Sequence, residues 1–261
     1  MLQRIRPLVQ VPSFRVLPLE RRRERVRLIA TTMVRNEREH LPAMLRNVAA
    51  QVDGIVALDD GSTDGSAEML AASPGVLEVL RNPADRGAYD EPGGHRRLVA
   101  AALAHGADWI VSIDADERLE HDFRVRAERV IRRGRALGFT AFALHLRELW
   151  DHPDRYRADG LWGRKRVARL FRARLDHRFD PRPLHGSKAP LQGKVMGAFP
   201  PADLVIYHLR MIRLEDRIAR RDRYLALDPG AVWQPGIGYD YLTDDRGLVL
   251  RHIPPRRGYI R

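Results

Sequence analysis

Three acidic clusters contain the residue types and spacings that could do chemistry: Asn36-Glu37, Asp59-Asp60 and Asp114-Ala115-Asp116-Glu117. Carboxylates gathered beside basic residues suit a hard divalent cation and, through it, a diphosphate whose charge they would otherwise repel. The Asp-Ala-Asp spacing carries information of its own. Side chains on extended backbone repeat every two residues, so Asp114 and Asp116 face the same way. One can then ligate a metal while the other orders a water or a hydroxyl.

An Asp-x-Asp triplet also recurs by chance in solvated loops, so its weight depends on the elements that hold it. This one follows directly on the apolar run Trp109-Ile110-Val111-Ser112-Ile113, a buried-strand pattern. Residues 26–34, 55–58 and 76–80 read as three earlier strands. Leu41, Met44, Leu45 and Val48 recur at i, i+3, i+4 and i+7, one face of a helix. Segment 59–66 reads as a turn and cap opening a short helix through Leu70, and 96–105 as a helix after the punctuation Pro92-Gly93-Gly94. This alternation predicts an α/β fold of crossover units with a mostly parallel, Rossmann-like sheet, in which ligands bind beyond the carboxyl ends of the strands. All three acidic clusters fall at such ends, and therefore on one rim.

Further on, 122–135 reads as a helix and 139–146 as a strand. Residues 149–201 are dense in Pro, Gly, Arg and aromatics, with one strand at 167–171, and read as a loop-rich cap. A last strand at 204–209 precedes a helix over 214–225, with Leu214, Ile218 and Leu225 on one side and Arg217, Arg220, Arg221 and Arg223 on the other. The expected organisation is a basic arm at 1–25, a principal domain at 26–227 divided into halves 26–148 and 149–227, and an irregular tail at 228–261.

The composition, 44% apolar and 31% charged over 261 residues, is that of a globular protein rather than a disordered or fibrous one. Cysteine is absent, which excludes disulfides, thiolate metal sites and thiol catalysis. No apolar run approaches the roughly 20 residues needed to cross a bilayer, so a cytoplasmic protein is expected. The net charge of +12 suggests an anionic partner. A basic protein binding anionic membrane or nucleic acid is the non-enzymatic alternative, but clustered carboxylates on the ligand rim would repel a polyanion. No nucleic-acid partner is expected.

The runs Ala30-Thr31-Thr32-Met33-Val34-Arg35-Asn36-Glu37, Leu58-Asp59-Asp60-Gly61-Ser62-Thr63-Asp64 and Ile113-Asp114-Ala115-Asp116-Glu117 resemble the nucleotide-binding half of a family 2 glycosyltransferase with the GT-A fold. The resemblance covers roughly residues 26–225. It implies transfer of a sugar from a nucleotide-diphosphate donor (UDP-, GDP- or dTDP-sugar) to a glycan, lipid-linked or other hydroxyl acceptor, with Mg²⁺ or Mn²⁺ as cofactor. Thr31 and Glu37 would sit by the base and ribose, Asp60 would bond the base or ribose, Asp114 the ribose and a metal water, and Asp116 the metal. Arg86 and Arg96 lie where the family often places a basic residue near the nucleotide; read on their own residues, they are equally surface charges.

In the second half, Arg169-Leu170-Phe171-Arg172, Arg182-Pro183-Leu184-His185 and Ile206-Tyr207-His208-Leu209 are similar to bacterial members that build lipopolysaccharide cores and related envelope glycans. The resemblance implies His208 as a second metal ligand; a partly buried histidine bonded to a carbonyl is the plain reading. Such relatives carry a glutamate after the earlier histidine as general base, and here that position is Gly186. Inverting displacement still needs a base within reach of the acceptor hydroxyl, so Asp180 and His185 become the expected catalytic residues. Trp150, Tyr156 and Trp162 suit stacking on a sugar ring or packing in a core. The basic helix 214–225 suits peripheral contact with an anionic membrane or simple solvation.

Overall fold

The computed structural model describes residues 25–85, 90–182 and 186–260. Arg86, His185 and all but the last residue of the 1–25 arm lie outside them.

The first half alternates strand and helix: β1 (Leu28–Val34), α1 (Leu41–Ala49), β2 (Gly54–Asp60), α2 (Ser66–Ala72), β3 (Val76–Asn82), α3 (Glu91–Ala104) and β4 (Trp109–Ser112). These strands pair in parallel in the order β3-β2-β1-β4. β1 and β2 are aliphatic and almost wholly buried because both faces are covered. Period-two alternation divides them: Ala30, Val34, Ile55 and Ala57 pack with Leu41, Met44 and Val48 of α1, while Ile29, Val56 and Leu58 pack with Leu98, Val99 and Ala102 of α3.

The second half adds β5 (Glu117–Leu119), α4 (Phe123–Ala136), β6 (Ala141–Glu148), β7 (Arg155–Arg157), β8 (Arg166–Arg172), β9 (Pro201–His208), α5 (Leu214–Leu227) and β10 (Leu250–His252). The sheet continues β4-β8-β6-β9-β5, with β8 antiparallel to β4 and β6, β9 parallel to β6, and β5 antiparallel to β9. The result is the expected GT-A-type architecture: an eight-stranded, mostly parallel sheet between helical layers, with a looser cap.

Several local expectations change. Helix α3 starts at Glu91, so Pro92-Gly93-Gly94 forms its first turn instead of preceding it. Proline costs nothing where the N–H has no intrahelical acceptor, the Asp90 carboxylate accepts from Gly93 N at 2.8 Å, and a Cβ on Gly94 would come 2.2 Å from Met33 Cε. The glycine thus serves close helix-to-sheet packing. Helix α5 is turned over: Leu214, Ile218 and Leu225 are exposed, while Arg217 is buried against Trp150 and donates to Asp151 and to the Met211 carbonyl. Trp150 and Trp162 pack in a core with Met211, Tyr239 and Leu242 and do not line an open sugar site; Tyr156 is half-buried beneath the Arg147 guanidinium. Within the segment read as an irregular tail, β10 pairs antiparallel with β7, and Tyr239 and Leu242 close that aromatic core.

Candidate active site

The site is built where β6 and β9 end and β5 begins. His208 closes β9, opposite Glu148 at the end of its parallel neighbour β6 and opposite Glu117 at the start of antiparallel β5. Its Nδ1 donates to Glu148 Oε2, and its Nε2 stands 3.1 Å from Asp116 Oδ2 and 3.1 Å from Arg220 Nη1. Lys165 holds the other Glu148 oxygen at 2.5 Å. Asp116 is fixed from its backbone as well, its carbonyl accepting from Leu209 N at 2.9 Å.

Arg210 ties the first acidic cluster to the third, donating from Nε to Asp116 Oδ2 at 2.5 Å and from Nη2 to Glu37 at 2.5 and 2.6 Å. The turn carrying Glu37 is stapled in turn to the second cluster: Glu37 N donates to Ser66 Oγ at 2.9 Å, and Thr63 N to Asn36 Oδ1 at 2.8 Å. Asn36 takes the left-handed conformation this turn needs, at φ 55°. A second ion cluster surrounds Asp114, which Lys188 and Arg169 both contact; Arg169 also donates to Glu117 at 2.7 Å.

The structure therefore joins Asp116 and His208 by direct contact and ties Glu37 to Asp116 through Arg210, with Asp114 beside them. Asp60 ends β2 on the same edge of the sheet and accepts from Asn82 at 2.8 Å. Thr31 is buried inside β1, where its carbonyl accepts from Ile113 N at 2.9 Å. Arg96 is exposed on α3, and Asp180 is gripped by Arg182 in the cap; neither forms a hydrogen bond or ion pair with the described members of this group.

Burial governs the protonation of these groups. It would push His208 down, but the flanking Glu148 and Asp116 carboxylates outweigh it and lift the imidazole to about 9. Burial would raise Asp116, Asp114 and Glu148; His208 and Arg210 hold Asp116 well below the carboxylate range, Lys188 and Arg169 do the same for Asp114, and His208 and Lys165 for Glu148. Glu37 and Glu117 shift upward, because burial prevails over their arginine partners.

The donor chemistry fits one hard cation at Asp116 and His208. In the neutral imidazole that a metal would bind, displacing the Nε2 proton, a carboxylate on Nδ1 fixes the tautomer that presents the Nε2 lone pair, as metal-bound histidines usually require. The 3.1 Å between Nε2 and Asp116 Oδ2 is close to the spacing of two adjacent octahedral ligands each about 2.1 Å from a cation. Among the described residues, no group of three or more His, Asp and Glu side chains is arranged to hold a metal ion. The protein would thus supply two ligands, with phosphate oxygens and water completing the shell, which is how Mg²⁺ is commonly held.

The residues that sequence reasoning passes over are Glu148, Arg210, Arg220, Lys165 and Lys188. Glu148 lies two residues past the expected end of its strand, and the arginines read as solvated charges. The one available signal is spacing: Arg217 and Arg220 lie three apart on α5, and so share a face.

Residues 31–172 match the family model for Glycosyl transferase family 2. An uncharacterized protein of Mycobacterium tuberculosis is 30% identical over 225 residues, covering 82% of this chain and 54% of its own length. An undecaprenyl-phosphate 4-deoxy-4-formamido-L-arabinose transferase of Serratia proteamaculans is 36% identical over 94 residues, 32% of this chain and 27% of that protein. The chain thus spans about half the length of the first relative and about a quarter of the second. The crystal structure of S. aureus TarS superposes with a TM-score of 0.49 at 11% identity, covering 77% of this chain and 40% of that one. The match to the family model covers more than half of the chain, which therefore belongs to glycosyltransferase family 2.

Proposed function

We propose that the chain transfers a sugar from a nucleoside-diphosphate donor to a hydroxyl acceptor by a single inverting displacement. The observation that carries this reading is the meeting of Asp116, His208 and Arg210 at the strand ends, where a buried carboxylate, an imidazole and guanidinium groups face one rim. Asp116 and His208 would hold Mg²⁺ or Mn²⁺, which when bound supplies positive charge for the departing diphosphate. Arg210 and Arg220 exchange some of their contacts with Asp116 and His208 for phosphate oxygens and stabilise the leaving group electrostatically. Asp114 and Asp60, at the ends of their segments, orient the ribose and base, with Thr31 and Glu37 shaping that end of the pocket.

The acceptor proton goes to a base on the cap, His185 or Asp180. The Arg182 hydrogen bonds lower the Asp180 carboxyl below its usual range, keeping it ionised but weakening it as a base, so His185 is the favoured residue. A glycan or lipid-linked acceptor is proposed; the outward row Leu214, Ile218 and Leu225 on α5 beside half-buried Arg221 and exposed Arg223 supports contact with an anionic membrane surface. Thermal unfolding with UDP-, GDP- and dTDP-sugars in Mn²⁺ tests the reading. At least one donor should stabilise the wild type and not Asp116→Asn, and no stabilisation by any of the three would overturn it.

A further inference from the structure

A cleft of about 180 Å³ opens among Arg147, Tyr156, Ala158, Gly160, Gly163, Arg164 and Arg251. It is assembled from four separate stretches: β6, β7, the tight turn at Trp162–Arg164, and β10. Arg251 stands directly opposite Tyr156 in the β7·β10 pair, so both side chains leave the same face of that small sheet. The Arg147 guanidinium stacks 4.8 Å above the Tyr156 ring and donates to the Gly163 carbonyl at 2.7 Å, which fixes it at the wall. Gly163 has no room for a side chain, since a Cβ there would lie 2.2 Å from the Ala158 carbonyl oxygen, and Gly160 turns the chain at φ +45°.

Three guanidinium groups therefore border one concavity whose lining contains no carboxylate. Asp159, between Ala158 and Gly160, is already engaged by Arg157 and by Val249 N. The Arg164 and Arg251 side chains form no hydrogen bond or ion pair with any described residue. Like charges crowded in this way repel one another, and a bound dianion would offset the repulsion while using donors that are otherwise idle. The cleft is smaller than the roughly 300 to 1,000 Å³ of pockets that enclose drug-sized ligands, so it suits one phosphoryl group and not a whole sugar nucleotide. It is also separate from the candidate active site. Arg147 and Glu148 are consecutive in β6 and project to opposite faces, and Glu148 is the residue that contacts His208.

We infer that this cleft is a second anion site, which takes a phosphate mono- or diester group through Arg147, Arg164 and Arg251. Inorganic phosphate and vesicles of phosphatidylglycerol are the two probes. They are titrated against the wild type, the cleft variant Arg164→Ala/Arg251→Ala, and a control, Arg133→Ala/Arg135→Ala, that removes the same charge from exposed positions on α4. Loss of two charge-assisted contacts should weaken binding in the cleft variant by about tenfold or more, with the control within about twofold and Mn²⁺-UDP binding unchanged in both. A loss for inorganic phosphate identifies a free anion as ligand, and a loss confined to vesicles identifies a lipid headgroup. Equal binding by the cleft variant and the wild type for both probes, or an equal loss in the control, overturns the inference.

Discussion

Glu148 and His208 face each other across the parallel pair β6·β9, and the buried Glu148 carboxylate accepts a hydrogen bond from His208 Nδ1. The consequence reaches beyond this pair, because the orientation of Nε2 toward Asp116 depends on it. Glu148→Gln keeps an acceptor in place but removes the charge. Loss of a carboxylate behind a metal-bound histidine typically costs 10- to 100-fold in metal affinity. Calorimetric titration of Mn²⁺ into the UDP-loaded variant should show a loss of about that size; wild-type affinity would mean that Glu148 is structural only.

The same pair sets a pH dependence. The His208 imidazole is lifted from 6.5 to about 9, so the stability it adds is fully present below pH 6.5 and is lost as pH rises through 9. His40, His95, His145 and His177 are pushed down by burial, so among the described histidines that shift, His208 alone is raised through that window. One pKa unit is about 1.4 kcal/mol, so the metal-free protein should lose on the order of 3 kcal/mol between pH 6 and 9.5. Urea unfolding at the two pH values measures this. His208→Gln should flatten the slope, and an equally steep slope in that variant would assign it elsewhere.

Asn47 anchors the strand that follows the acidic triplet. Its side chain donates to the Leu119 carbonyl at 3.0 Å and accepts from Leu119 N at 2.8 Å, completing the outer edge of β5 from within the core. Asn47→Ala leaves a buried N–H and a buried C=O unpaired, at about 1 to 3 kcal/mol each. A stability loss of about 2 to 5 kcal/mol is expected, together with weaker Mn²⁺-UDP binding as β5 loosens. Loss of stability with donor affinity untouched would show that β5 does not position Asp116.

The two base assignments separate kinetically. His185→Gln should lower kcat by about 10²- to 10⁴-fold with UDP affinity retained, whereas Asp180→Asn should have a minor effect because Arg182 already lowers its basicity. The reverse pattern would transfer the role to Asp180.

The rim was legible in the sequence because long apolar runs fix the strands and the acidic clusters stand immediately after them. Asp116 and His208, which the family resemblance assigns to one site, meet across 92 residues. Their supporting shell was not legible. Glu148, Arg210 and Lys165 acquire meaning only through the registers of β5, β6 and β9, and strand register is set by long-range pairing that local periodicity does not encode. Helix α5 misled for a related reason: its apolar row looks core-facing, yet Arg217 finds an aromatic ring, a carboxylate and a carbonyl inside, and those partners outweigh the usual cost of burying a guanidinium. The three-residue strands β5, β7 and β10 are too short to leave a pattern.

The most direct measurement is calorimetry of UDP, GDP and dTDP binding with and without Mn²⁺, on the wild type and on Asp116→Ala. One nucleotide should bind the wild type only when the metal is present, and binding should weaken by at least about a hundredfold in the variant, or about 3 kcal/mol. Equal binding by the two proteins, or binding indifferent to metal, would contradict a cation-centred donor site at Asp116 and His208.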